Sequence, residues 1–538
     1  MSMFGDYKSY KKYEPAYSEW KNNRNILEAK REAYLNKHPE LVNQKDIQRG
    51  KILLRAIDIM DEYSQKRAEN MEAATESVIG MGLDLAFFGG GFLGGLLGMI
   101  KPIGEFFQRF AAKGSKNAKI IGIGIPAVIG GVLGTLAAFP LMAWGAKAEV
   151  SASRKGRFEA MRKELSNSSG FAILTKEQLK EAEEKAKNVI LDDENKNLKS
   201  KIKNSFASIK EMAVDSKEYK LQKMEFEKEL EQDEKNINKK MTEKEIESAK
   251  RDQQLLTKLV EKIDIASQDY AENSELATQT AILGVGATGG ILSIGVGKIL
   301  NAMKIKSAGK IDAIIKVLSI AAFALMSIFS AQINKHASRV GRYKVKQELL
   351  NNPNNFVYVD DSKINDIKDF ELKINKKQNV FSFLKNAWKN NREYNNYKKT
   401  VGKEERKFFK AVEDIELTPE QLKEAKKLQK NMFRTFNKVD ENSQKYAESI
   451  EALGQSIAYP ITTLCTVIAT LFALPYLEQE AKTKIEKTKN LSKYIGIIWL
   501  SLVPAIIINA IITKEQKKAS RIADMKAIEE LNDYRKFG

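Results

Sequence analysis

The stretch "SQKRAENMEAATES", residues 64–77, decides the fold because it occurs three times. "SQDYAENSELATQT" stands at 267–280 and "SQKYAESIEALGQS" at 443–456, and the three copies align without a gap. An aspartate stands three residues before each serine, and a strongly apolar block follows each copy. Self-similarity on this scale indicates three copies of one supersecondary unit.

A second signature closes each unit. Ala-Ser-Arg is followed by Glu-Leu and then by Phe, in "ELSNSSGF" from 164, "ELLNNPNNF" from 348 and "ELNDYRKF" from 530. Upstream, Thr242 and Thr418 each stand 25 residues before a repeated serine, in a context typical of a helix start. The first unit matches at "VNQKDIQRGK" only if one helical turn is deleted.

The apolar blocks have the length of membrane-spanning helices. They lie at 77–100, 120–144, 281–301, 313–333, 457–477 and 494–512. A helix needs ~20 apolar residues to cross a bilayer. Pairs of blocks with short connections therefore predict an all-α, polytopic membrane protein with six transmembrane helices in three repeated hairpins. The alternative is a set of buried hairpins inside a large soluble bundle.

The predicted organisation alternates repeats with polar helical extensions on one side of the membrane. Both termini and the long linkers are expected to be cytoplasmic. The segments are a basic N-terminal region 1–60, repeat one 61–171, a charged helical or coiled-coil linker 172–263, repeat two 264–356, a basic aromatic linker 357–439 and repeat three 440–538. Glycines spaced by four residues, at Gly90, Gly94 and Gly98 and at Gly130 and Gly134, predict closely packed helices.

A polar stripe is repeated in all three units. At 100° per residue its members fall on one helix face. They are Asp61, Gln65, Glu69 and Glu72, then Asp264, Gln268, Glu272 and Glu275, then Asp440, Gln444, Glu448 and Glu451. One interpretation is a structural network in which Arg154, Arg339 and Arg521 pair with the stripe of their own hairpins. The other is an acidic vestibule formed where three stripes converge at a pore mouth.

Two polar residues fall inside apolar blocks. Asp84 is either an ion or proton site or a protonated, hydrogen-bonded acid, because a carboxylate in lipid faces protein or water. Its equivalents are Ala287 and Thr463, so it belongs to no threefold ring. Asn509 is expected to make an interhelical hydrogen bond.

The charge balance favours anionic partners. Lys and Arg exceed Asp and Glu by 19. The motif Trp-Lys-Asn-Asn-Arg, at 20–24 and again at 388–392, suggests interfacial helices that bind anionic lipid. Packing of these aromatics on neighbouring protein is the competing interpretation. Nucleic acid is not favoured, and a protein partner on the cytoplasmic side is expected.

Signals of catalysis are missing from the sequence. His38 and His336 lack partners at metal-ligand spacing, Cys465 is the one cysteine, and no phosphate-binding glycine loop occurs. We therefore expect no enzyme activity, no cofactor and no metal. The predicted function is a membrane scaffold or interaction protein. The alternatives are a channel or transporter, and a pore-forming or secretion-associated component.

Overall fold

The computed structural model describes residues 3–109, 118–137, 152–190, 241–302, 337–372, 380–478 and 503–537, with isolated residues between them. Along parts of these helices it describes the backbone without the side chains. The described residues are all-helical, as predicted, with short 3₁₀ turns and no strand. The helices are α1 Met3–Lys37, α2 Gln44–Met99, α3 Lys101–Gln108, α4 Ala118–Ala137, α5 152–163, α6 Lys176–Asn188, α7 Glu243–Ala302, α8 337–351, α9 Val380–Glu413, α10 Pro419–Glu478 and α11 Val503–Glu530.

Three long helices carry the repeated stretch, and each begins at a capping residue. The Thr242 hydroxyl accepts from the Glu245 N–H, and the Thr418 hydroxyl accepts from the Gln421 N–H at 3.2 Å. Both predicted helix starts are confirmed. In α2 the cap is Asn43, and α2 has 56 residues where α7 and α10 have 60. The difference of four residues is the deleted helical turn that the sequence alignment requires.

The prediction of six transmembrane helices is wrong. Within the described residues, no helix combines the length and the apolar character that crossing a bilayer requires. The same finding contradicts the predicted localisation, a multi-pass membrane protein with cytoplasmic termini and linkers. Block 77–100 contains eight glycines, and block 281–301 contains six together with Lys298, so each block holds fewer large apolar side chains than its length suggests. Block 313–333 apart from Ile314, and parts of 120–144 and 494–512, lie outside the described residues.

The glycine spacing in the first hairpin does bring two helices together. A Cβ atom on Gly98 would lie 2.8 Å from the carbonyl oxygen of Gly122, and one on Gly130 would meet the backbone of Gly90 and Gly94. Only glycine permits this backbone approach between α2 and α4. The predicted close packing is confirmed for this hairpin.

The repeated phenylalanine anchors the end of each unit in the main core. Phe171, Phe356 and Phe537 lie in 3₁₀ turns and are almost completely buried. The leucines of the preceding Glu-Leu pairs, Leu165, Leu349 and Leu531, are buried with them. We call the segments that end at these phenylalanines unit 1 (α2–α5), unit 2 (α7, α8) and unit 3 (α10, α11).

The end of unit 1 packs on the first helix of unit 3. The Phe171 ring meets the Phe433 ring of α10 edge to face, with 6.2 Å between centroids. On the same helix, Gln429 Nε2 donates to the carbonyl oxygens of Leu165 and of Ser166, the latter at 3.0 Å. Unit 1 is therefore held by unit 3 across more than 250 residues of sequence.

The other two units are joined in the same sense. Phe356 at the end of unit 2 packs against Gly50 on α2 of unit 1, where a Cβ atom would collide with its ring. Gln253 on α7 of unit 2 donates to the carbonyl oxygen of Leu531 at the end of unit 3, at 2.8 Å. The end of unit 1 thus contacts unit 3, the end of unit 3 contacts unit 2, and the end of unit 2 contacts unit 1. Three head-to-tail interfaces of this kind close into a ring. We refer to this arrangement as the ring.

Candidate functional site

The two helices of each unit meet at a pair of serines. One serine comes from the repeated Ser-Gln and the other from Ala-Ser-Arg, so both signatures join in one contact. The hydrogen-bonded pairs are Ser64–Ser153 at 2.7 Å, Ser267–Ser338 at 2.5 Å and Ser443–Ser520. Close approach at this crossing requires small residues: a Cβ atom on Gly156 would lie 2.8 Å from Ser64 Cα.

Two largely buried arginines, one helical turn after these serines, link the units. Arg157 of unit 1 forms an ion pair with Asp440 of unit 3 and lies 3.9 Å from Asp61. Arg342 of unit 2 forms an ion pair with Asp61 of unit 1 and donates to Ser267 at 3.1 Å. Neither arginine is among the predicted site residues. The signal was present, since units 1 and 2 share Ser-Arg-x-Gly-Arg.

The third link differs, because unit 3 carries Asp524 where units 1 and 2 carry arginine. Gln268 of unit 2 donates to Asp524 at 2.8 Å and to Ser520 at 3.0 Å. Burial raises the pKa of Asp524 well above its usual range, and the nearby Asp264 carboxylate raises it further. Burial also raises the pKa of Asp264, against the opposing charges of nearby arginines.

The described stripe residues contact other units or the α9 helix. Gln65 accepts from the Tyr394 hydroxyl at 3.0 Å, and Glu272 of unit 2 pairs with Arg521 of unit 3 at 2.6 Å. The predicted partner of Arg521 was the stripe of its own hairpin; the structure pairs it with the neighbouring unit. Arg154 and Arg339 occupy the equivalent positions on α5 and α8. The side chains of Glu69, Glu72, Glu275, Gln444, Glu448, Glu451, Asp84 and Asn509 lie outside those described.

The first basic aromatic segment packs on protein at its tryptophan. Trp20 stacks on Tyr17 with 6.0 Å between ring centroids and lies against the core. Arg24 sits 5.7 Å from the Trp20 ring and forms an ion pair with Glu261. In the second segment the Trp388 side chain lies outside those described.

The described contacts between the units of the ring are hydrogen bonds and ion pairs. No group of three or more His, Cys, Asp or Glu side chains among the described residues is placed to hold a metal ion. The cavity lined by Arg49, Phe171, Asp252 and Lys427 has a volume of about 20 Å³, room for about one water molecule. Comparisons with family models, with curated proteins and with solved structures found no match.

Proposed function

We propose that the protein is a non-enzymatic helical scaffold, in which the ring holds the α2–α4 hairpin in place for a protein partner. The observation that carries this proposal is an apolar surface on the hairpin. Its members are 44–68% exposed and are Phe92, Leu93, Leu96, Leu97, Met99, Ile100 and Phe106. We call this set the apolar patch.

Helix geometry explains why the patch is exposed. At 100° per residue, Phe92, Leu93, Leu96, Leu97 and Met99 fall within an arc of about 160° on α2. The glycines that contact α4 lie on the opposite side of the helix. Because glycine occupies the inner face, the large side chains of this segment can point only outward.

A second copy of the chain is the partner that we propose. Seven side chains, each exposing about half of roughly 200 Å², present about 700 Å² of apolar surface. The largest apolar patch on a typical monomer is about 300–600 Å², whereas a stable complex buries about 800 Å² per partner. Lys101 and Glu105, both exposed next to the patch, have opposite charges and suit a twofold contact.

Light scattering coupled to size-exclusion chromatography tests this proposal on the full chain. We expect a mass twice the 60.6 kDa of one chain, and a dimer that tightens with salt, because salt screens the repulsion between two chains of net charge +19. Leu93→Glu should weaken association at least about tenfold.

Ile190→Glu is the matched control, since Ile190 is 89% exposed outside the hairpin. It should leave the dimer intact, and far-UV circular dichroism should show unchanged helix content in both variants. A monomeric wild-type chain would refute self-association, as would a dimer that Leu93→Glu does not weaken. Binding of the monomer to phosphatidylcholine vesicles through the same patch would also refute it.

A further inference from the structure

The third link of the ring brings two carboxyl groups together where the other links place an arginine and an aspartate. Arg157, Arg342 and Asp524 each stand four residues after the serine of Ala-Ser-Arg. The first two pair with the aspartate of the neighbouring unit, Asp440 and Asp61. The same head-to-tail geometry brings Asp524 of unit 3 to Gln268 of unit 2, which donates to it at 2.8 Å; Asp264 stands one helical turn before Gln268 on α7 and acts electrostatically on Asp524.

Among the described residues, one guanidinium acts on Asp524, that of Arg521. The groups that act on Asp524 are Asp264 and Gln268 from α7, Ser443 from α10, Arg521 from its own helix and Tyr17 from α1. Arg521 is already engaged by Asp269 and Glu272, each at 2.6 Å. Asp524 is 4% exposed, and among the described residues its Oδ1 has no hydrogen-bond donor.

Asp264 differs from Asp524 in its neighbours. Arg342 and Arg157 both act on Asp264 and favour its charged form, while Asp61 opposes them. Two carboxyl groups that interact strongly lose their protons in separate steps. Asp264 is therefore the group that ionises first, and Asp524 is the group that keeps a proton.

We propose that Asp524 is protonated in the folded protein at neutral pH, and that its ionisation loosens the interface between units 2 and 3. This link is thus a pH-sensitive element in an otherwise ionic ring. Linkage gives the direction of the pH dependence. The folded state holds a proton that the unfolded state has lost, so the free energy of unfolding decreases as pH rises toward the pKa of Asp524 in the folded state. The inference is independent of the proposed dimer, because it concerns contacts within one chain.

Hydrogen exchange against pH tests the proposal at the interface itself. After correction for intrinsic exchange, protection of 264–272 and 520–528 should fall at least about tenfold from mildly acidic to mildly alkaline pH, relative to α5. Asp524→Asn should abolish this dependence, and so should Asp264→Asn. Glu530→Gln, an exposed change on the same helix, should retain it.

Infrared spectroscopy of the wild-type chain provides a readout that needs no variant to fold. At neutral pH the wild type should show the carbonyl stretch of a protonated carboxylic acid, and Asp524→Asn should lack it. Absence of that band from the wild type would overturn the proposal. A folded Asp524→Asn or Asp264→Asn variant with the wild-type pH dependence would overturn it as well.

Discussion

Replacing Arg157 by methionine tests whether the ionic links hold the ring together. The Arg157 side chain is 12% exposed and that of Asp440 is 18% exposed, so the pair is largely removed from water. Removing one partner of a buried pair costs about 3–5 kcal/mol. We expect about 3 kcal/mol, at the lower end, because Asp61 keeps its contact with Arg342 when Arg157 is lost.

A double-mutant cycle separates the pair from its surroundings. Arg157→Met and Asp440→Asn should each lower the free energy of unfolding, measured by urea titration with circular dichroism. The double variant should lose less than the sum of the two, by about 2 kcal/mol. Lys163→Met, on the same helix, is the control: Lys163 is 65% exposed and pairs with Glu159, so its loss should cost less than about 0.5 kcal/mol. Additive effects of the two buried substitutions would refute the ionic link.

Three further substitutions probe other parts of the structure. Gly94→Leu should destabilise the first hairpin by at least about 1–3 kcal/mol in urea titrations, because its side chain would meet the Pro126 carbonyl; an unchanged midpoint would contradict the packing. Phe537→Ala should lower the free energy of unfolding by about 3–5 kcal/mol and lower the melting temperature. An unchanged melting temperature would show that this 3₁₀ turn does not pack in the core. Burial lowers the pKa of Lys346 from 10.5 to about 8 despite Glu405 at 2.9 Å. The unfolded chain binds this proton more tightly, so wild-type stability should gain up to about 3 kcal/mol from pH 8 to 10.5. The Lys346→Met variant should lack that rise in stability. A pH profile identical to that of the wild type would show that Lys346 is not the group responsible for the rise.

Features that depend on neighbouring residues were predictable. The helix starts at Thr242 and Thr418 follow from side chains that accept from an N–H three residues later. The glycine contacts at Gly94 and Gly130 follow from a four-residue spacing on one helix face. The prediction of membrane insertion was wrong: it rested on the length of the apolar blocks, and within the described residues no helix is long and apolar enough to cross a membrane.

The sequence by itself determined that the chain consists of three copies of a helical unit, because a helix repeats its faces through local spacing. The tertiary structure alone decided which copy each side chain meets. Arg521 contacts Glu272 of another unit, and Asp524 acquires its significance only beside Asp264. Spacing along one helix fixes the direction of a side chain but not the helix that docks against it; that choice depends on how three buried surfaces fit together and close.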